Sequence, residues 1–280
     1  VLRSPQLIGE MGMRSKGIRP NQERLYWDDL AEIRIRVPGL DEQRQIADFL
    51  DDQVARIDAL GTLRERQSEL LLWQLHSARV EASLQVSQWV APLRRATTCL
   101  DGRRIPVNAQ ERASMSGPYP YWGAGSIVDH VDRWLFDEPL VLLGEDGAPF
   151  FDPLRDVAFS VTGKIWVNNH IHVLRPLASH RPGYLGHMLN CVDYSSYITG
   201  STRDKLTQDQ MMSIRLPLPA PEAQLGIERS LDDFALEVAS RRESLSRSSQ
   251  LLGELKRSLI SATVSGEFDV SAASGWGVRL

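Results

Sequence analysis

The chain has 280 residues, 42% of them hydrophobic, enough for one or two domains with packed cores. A formal charge of −4 lacks the whole-domain basic excess that marks a self-sufficient nucleic-acid binder. Two cysteines without metal-like spacing, Cys99 and Cys191, no apolar run of membrane-span length and no signal pattern read as a reduced, cytoplasmic protein.

Residues 1–36 read as the tail of a domain whose body is missing, so the chain is expected to be a fragment or a remodelled half. Residues 37–88 follow as a long helix. Pro38-Gly39 precedes it, and Ile46, Leu50, Val54, Ile57, Leu60 and Leu63 recur at steps of three and four. Residues 89–219 change texture: Gly, Pro and aromatics are frequent. Leu140–Leu143, Ala158–Val161 and Ile171–Leu174 read as strands bounded by turn signals such as Asp146-Gly147. Residues 220–266 form a second long helix, with Leu231, Val238, Leu245, Leu252 and Leu259 every seventh residue. Ile227, Phe234 and Leu255 make a second column that Arg241 and Ser248 interrupt. Gly266 is placed to stop this helix, and 267–280 reads as a flexible tail. The expected fold class is α+β: a globular mixed α/β domain flanked by two long coiled-coil-forming helices.

The two helices are copies. IRIRVPGLDEQRQIADFLDD (33–52) matches IRLPLPAPEAQLGIERSLDD (214–233), pairing Pro38 with Pro219, Gln43 with Gln224, Ile46 with Ile227 and Asp51 with Asp232. Segment 13–30 aligns loosely with 194–211 at the same offset, Arg24 falling on Lys205. Duplicated helices around a domain-sized insert suggest two equivalent arms holding something at a set distance.

Catalytic patterns are mostly missing. Gly163-Lys164 lacks both the following Ser/Thr and the earlier glycine of a P-loop, and Gly123-Ala124-Gly125 reads as a tight turn. His170 and His172 sit two apart, as a metal pair on one strand face would, but no third ligand has suitable spacing, so no metal is expected. Glu145-Asp146 is the nearest approach to a nuclease carboxylate pair. Binding chemistry is better represented. Region 89–219 holds 13 Lys/Arg against 13 Asp/Glu, and Arg203 and Lys205 sit in a Gly/Ser/Thr-rich loop where cations, hydroxyls and amides can meet phosphates.

LPLPAPEAQLGI (216–227), VPGLDEQRQIADFLDDQVARIDAL (37–60), SLISATVSGEFDV (258–270), YPYWGAGSIVDHV (119–131), EDGAP (145–149), GKIWVNNHIHVL (163–174) and ITGSTRDKLT (198–207) are spread over nearly the whole chain. With them the chain resembles the specificity (S) subunit of type I restriction–modification enzymes. The resemblance implies a non-catalytic subunit whose target-recognition domains bind double-stranded DNA while the paired helices set their spacing. Modification (methyltransferase) subunits carrying S-adenosylmethionine would methylate adenine, and a restriction (endonuclease/translocase) subunit would cut DNA using ATP and Mg²⁺, so no cofactor is expected in this chain. It also implies that 1–36 is the C-terminal remnant of a first recognition domain and 89–219 a complete one. A functional half would pair with a second copy of itself and read a palindromic split site. The expected DNA contacts are Lys164, Asn168, Arg203 and Lys205, with Thr202 as a hydroxyl donor. Two other readings stand beside this one: a truncated coiled-coil assembly protein and a stand-alone nuclease.

Overall fold

The computed structural model describes residues 5–17, 24–34, 37–198 and 204–270. In chain order the helices are α1 (Pro5–Arg14), α2 (Trp27–Ala31), α3 (Leu40–Gln85), α4 (Ala109–Ala113), α5 (Pro182–Leu189), α6 (Gln208–Ser213) and α7 (Pro221–Ser265). The strands are β1 (Val90–Pro92), β2 (Thr97–Cys99), β3 (Ser116–Trp122), β4 (Ile127–Val131), β5 (Phe136–Asp137), β6 (Leu140–Gly144), β7 (Ala158–Val161), β8 (Lys164–Val167), β9 (Ile171–Pro176) and β10 (Arg215–Pro217). The sequence repeat is also a structural one: α2 and α6, and likewise α3 and α7, start at positions related by the same offset. The fold is α+β, a strand-rich domain flanked by two long helices. No helix among the described residues is long and apolar enough to cross a membrane.

The residues fall into two compact units, one of residues 1–67 and 243–280, the other Ser68–Arg242. In the first, Arg14 pairs with Glu32 and Lys16 with Asp29, tying α1 to α2 and the residue that follows it. α3 starts just after Pro38-Gly39, and Asp41 and Glu42 in its first turn favour the positive end of the helix dipole. The Gln43 amide turns back to donate to the Pro38 carbonyl at 2.8 Å. Lys256 pairs with Asp58 at 2.7 Å, and Phe268 stacks on Phe49. α7 stops where Gly266 takes a φ of 80°, as its position in the sequence predicts. The tail beyond Val270 lies outside the described residues.

One sequence expectation fails here. Leu63, placed in the buried column of the first helix, is 52% exposed, and Arg64 turns inward instead. Seven residues return a helix to within about 20° of its starting direction, whereas six leave it roughly 120° away. Ile57, the buried residue of this stretch, is therefore followed on its own face by Arg64. Leu255 is likewise exposed, in the column that Arg241 and Ser248 break.

The second unit is built around β6. Its side chains alternate with period two, Leu140 and Leu142 into one apolar cluster with Val167, Ile171 and Val173, Val141 and Leu143 into another with Tyr184, Leu185, Met188 and Leu231. Antiparallel pairing gives the sheet order β2-β9-β6-β7, and α5, nearly all buried, packs on β7 and β6. A second sheet runs β4-β3-β8-β5 with β3 and β8 parallel. β3 was hidden in the sequence by Gly117, Pro118 and Pro120. Ser116 and Tyr119 both face Val131 across a bulge, and a Cβ on Gly117 would meet the Asp132 backbone at 2.4 Å.

Both helices are fastened to this domain by buried polar contacts. Arg79 of α3 makes a two-pronged pair with Asp156 at 2.5 and 3.1 Å and donates to His187 Nδ1. Since Nδ1 accepts, Nε2 carries the proton and donates to Asp232 of α7 at 2.9 Å. Arg181 pairs with Glu228, and Gln224, fully buried, bonds Pro219, His180 and the Arg181 N–H. Burial holds His76, His180 and His187 below the ordinary histidine value of 6.5. The unfolded chain therefore takes up protons first as pH falls below about 6.5, which favours unfolding. The urea midpoint is expected to drop between pH 7.5 and 5.5; a midpoint that stays level would contradict this reading.

Candidate nucleic-acid interface

β8 buries Ile165, Trp166 and Val167 and leaves its two ends for polar work. At one end the Lys164 ammonium lies 3.8 Å from the centre of the Trp134 ring and 5.6 Å from that of Tyr119. It forms no ion pair with any described residue. The aromatic faces hold the cation without neutralising it.

Just beyond the other end, the Asn168 N–H donates to the Trp122 carbonyl at 3.0 Å. Its side-chain oxygen accepts from the His170 N–H at 2.5 Å, a local turn that leaves the amide NH₂ uncommitted. The His170 ring meets the Asp146 carboxylate at 2.5 Å, and Asp146 forms a backbone bridge with Lys205. Asn168 and Lys205 are thus brought together through His170 and Asp146. Lys164 stands four residues along the strand, about 13 Å away at 3.3 Å per residue. Thr202 and Arg203 lie outside the described residues.

Beneath Lys205 is a polar cluster that the sequence did not reveal. Its ammonium pairs with Glu145 Oε1 at 3.0 Å, and Arg104 holds the other Glu145 oxygen at 2.6 Å. Arg104 also contacts Asp101 at 3.4 Å and donates to the Ile171 carbonyl. The His172 ring, 1% exposed, lies between Asp101 and the Leu206 carbonyl. Burial pushes Asp101 and Glu145 upward, but hydrogen bonds from His172 and Val173 to Asp101, and from Arg104 and Lys205 to Glu145, outweigh it. Both carboxyls are held below their ordinary values. Apart from Arg104 and Asp101, three residues apart, the partners lie 34 to 72 residues apart in sequence, so no local spacing could have announced them.

The spacing of His170 and His172 suggested a metal pair, but β9 begins at Ile171 and the two rings face different carboxylates. Asp101, Glu145 and His172 do bring ligand atoms within 4.8 Å of one another. The Arg104 guanidinium already stands where a cation would, and both His172 nitrogens face other oxygens. Glu145 and Asp146, the nuclease-like pair, are each held by cationic or imidazole partners rather than open to a metal. Gly163 takes a φ of 81° in the turn before β8, so Gly163-Lys164 serves a bend. Burial pushes the thiols of Cys99 and Cys191 up to about 11, away from reactivity.

The profile of the family described as type I restriction modification DNA specificity domain matches residues 100–245, half of the chain and most of the strand-rich domain. The chain belongs to this family. A Haemophilus influenzae protein named as a type I restriction enzyme specificity subunit, S.HindORF215P, is 31% identical over 141 residues, 50% of this chain and 36% of that one. The matched region thus spans about a third of that specificity-family relative's length. A solved chain from work on complex assembly and conformational transition of the type I R-M system superposes with a TM-score of 0.68 at 14% identity, covering 95% of this chain and 70% of that one. At that identity it establishes the fold alone. The HsdS subunit of Thermoanaerobacter tengcongensis gives a TM-score of 0.48 at 14% identity over 93% of this chain and 68% of that one. For a member of the specificity family, a half-buried cation on an aromatic platform and an uncommitted amide linked through His170 and Asp146 to a second cation mark the natural edge to test for DNA contact.

Proposed function

We propose that this chain is the DNA-reading specificity subunit of a type I restriction–modification complex. It carries no catalytic group of its own and works in the cytoplasm. Modification subunits holding S-adenosylmethionine methylate adenine at the site it selects, and a restriction subunit using ATP and Mg²⁺ cuts DNA lacking that mark. The observation that carries the reading is the family match over residues 100–245, the region that holds Lys164, Asn168 and Lys205. In this role Lys164 and Lys205 meet phosphate or guanine, and the Asn168 amide meets a base edge. Thr202 and Arg203 are proposed to join them. The balanced charge of region 89–219 leaves much of the phosphate attraction to the partner subunits.

The test is co-expression with the cognate modification subunit in a methylation-free host, followed by mapping of methylated adenine by long-read sequencing. A split motif is expected. A palindromic motif would mean that two copies pair, and an asymmetric one that a second recognition domain joins from elsewhere. If both proteins are soluble and no motif appears, the reading fails in favour of a coiled-coil assembly role. In the assembled complex, Lys164→Ala is expected to weaken DNA binding and to reduce the slope of log K against log salt by about 1. An unchanged slope would remove Lys164 from the phosphate contacts.

A further inference from the structure

We infer that His172 is a positioning residue for DNA reading: it fixes the backbone at Leu206, and thereby the Lys205 ammonium, on the edge that also carries Asn168. The inference rests on the DNA-reading function proposed above.

The geometry is specific. His172 Nε2 lies 2.8 Å from the Leu206 carbonyl oxygen, and Nδ1 lies 2.5 Å from Asp101 Oδ2. A carbonyl cannot donate, so Nε2 donates to Leu206 while Nδ1 faces the Asp101 carboxylate. The preceding peptide is held too, the Leu206 N–H donating to the Glu145 carbonyl at 2.8 Å. Lys205 is therefore next to a backbone pinned at both its polar atoms, while its ammonium rests on Glu145. The second Asp101 oxygen accepts the Val173 N–H at 2.8 Å, which fixes the carboxylate that orients the ring. After Leu206, Thr207 caps α6 through a reciprocal pair with Gln210, so the pinned segment runs into a helix with a defined start.

An apolar residue would serve β9 equally well if burial were the only demand. A buried imidazole is costly unless every polar atom is satisfied, and here the satisfying partner lies outside the sheet, 34 residues along the chain. The tether joins the sheet to the segment that presents Lys205. Its loss would leave the lysine as a charge held by the Asp146 bridge and Glu145 alone, and so less sharply positioned. Charge without position supports binding to any duplex; position is needed to favour one sequence.

Two near-isosteric variants separate these roles. In His172→Gln the side-chain amide reaches the place of Nε2 and keeps the donor to Leu206. In His172→Asn it reaches the place of Nδ1 and keeps only the link to Asp101. Assembled with the modification subunits, each is measured for affinity to duplex carrying the mapped motif and to scrambled duplex, alongside its thermal unfolding. His172→Asn is expected to lose about tenfold in the ratio of the two affinities, with binding to scrambled duplex unchanged. His172→Gln is expected to stay close to wild type. Equal ratios for the two variants, or a loss that follows thermal stability alone, would overturn the positioning role. Should His172→Asn fail to fold, Glu145→Gln supplies the second reading. Releasing Lys205 by that route is expected to lower the ratio as well, and an unchanged ratio would overturn the inference. A wild-type complex with no sequence preference would overturn the proposed function, and the inference with it.

Discussion

Replacing Asp156 with alanine is expected to destabilise the protein by about 3 kcal/mol, more than replacing its partner Arg79. The asymmetry follows from burial. Arg79 is 5% exposed, whereas the Asp156 side chain is 42% exposed. Removing the carboxylate strands a largely buried guanidinium, with the His187 nitrogen as its one remaining side-chain acceptor among the described residues. Removing the guanidinium by Arg79→Met leaves a carboxylate that water can solvate and keeps much of the apolar stem, so the cost is about 1–2 kcal/mol. Urea denaturation of the two variants at neutral pH decides the matter. A larger loss for Arg79→Met would mean that its contact with His187, and not the ion pair, carries the attachment of α3.

The repeat supplies a second experiment with an internal control. Gln43 and Gln224 occupy equivalent places, and both donate to the carbonyl of the proline five residues earlier, each at 2.8 Å. Gln224 is 0% exposed and also joins His180 at 3.0 Å and the Arg181 N–H at 3.1 Å. Gln43 is exposed. Gln224→Leu should cost about 3 kcal/mol, because buried polar groups lose their partners at about 1–3 kcal/mol each. Gln43→Leu should cost less than about 0.5 kcal/mol, because water replaces the lost bond. Comparable losses in thermal unfolding would show that the shared helix-start bond matters and the domain contacts do not.

These pairs also mark what the sequence could and could not reveal. The helix starts were legible because Pro38-Gly39 and Pro219-Ala220-Pro221 punctuate the chain and the apolar columns follow at once. β6, β7 and β9 were legible as short apolar runs between turn signals. β3 was not, since its prolines and glycine mimic a loop and only its pairing with β4 and β8, across a bulge at Val131, makes a strand of it. Leu63 was misplaced because two successive steps of three outrun the helix. In the candidate interface, Lys164, Asn168 and Lys205 stood out by residue type and loop composition. Their surroundings did not: Trp134 beneath Lys164, and the Asp101–His172–Leu206 link, join residues that only the folded sheet brings together. Nothing in local periodicity separates a lysine neutralised by Glu145 from one resting on an aromatic ring.

The pairing of β1 with β10, Val90 opposite Pro217 and Pro92 opposite Arg215, has a consequence for chain length. It closes the intervening polypeptide into a loop whose two ends lie side by side. The entropy of such a closure rises only with the logarithm of the enclosed length, so doubling that length would cost roughly 0.6 kcal/mol. Insertions or deletions within the enclosed region are therefore opposed by the contacts they disturb far more than by the closure itself. The ladder that seals the loop puts little entropic limit on the size of what it encloses.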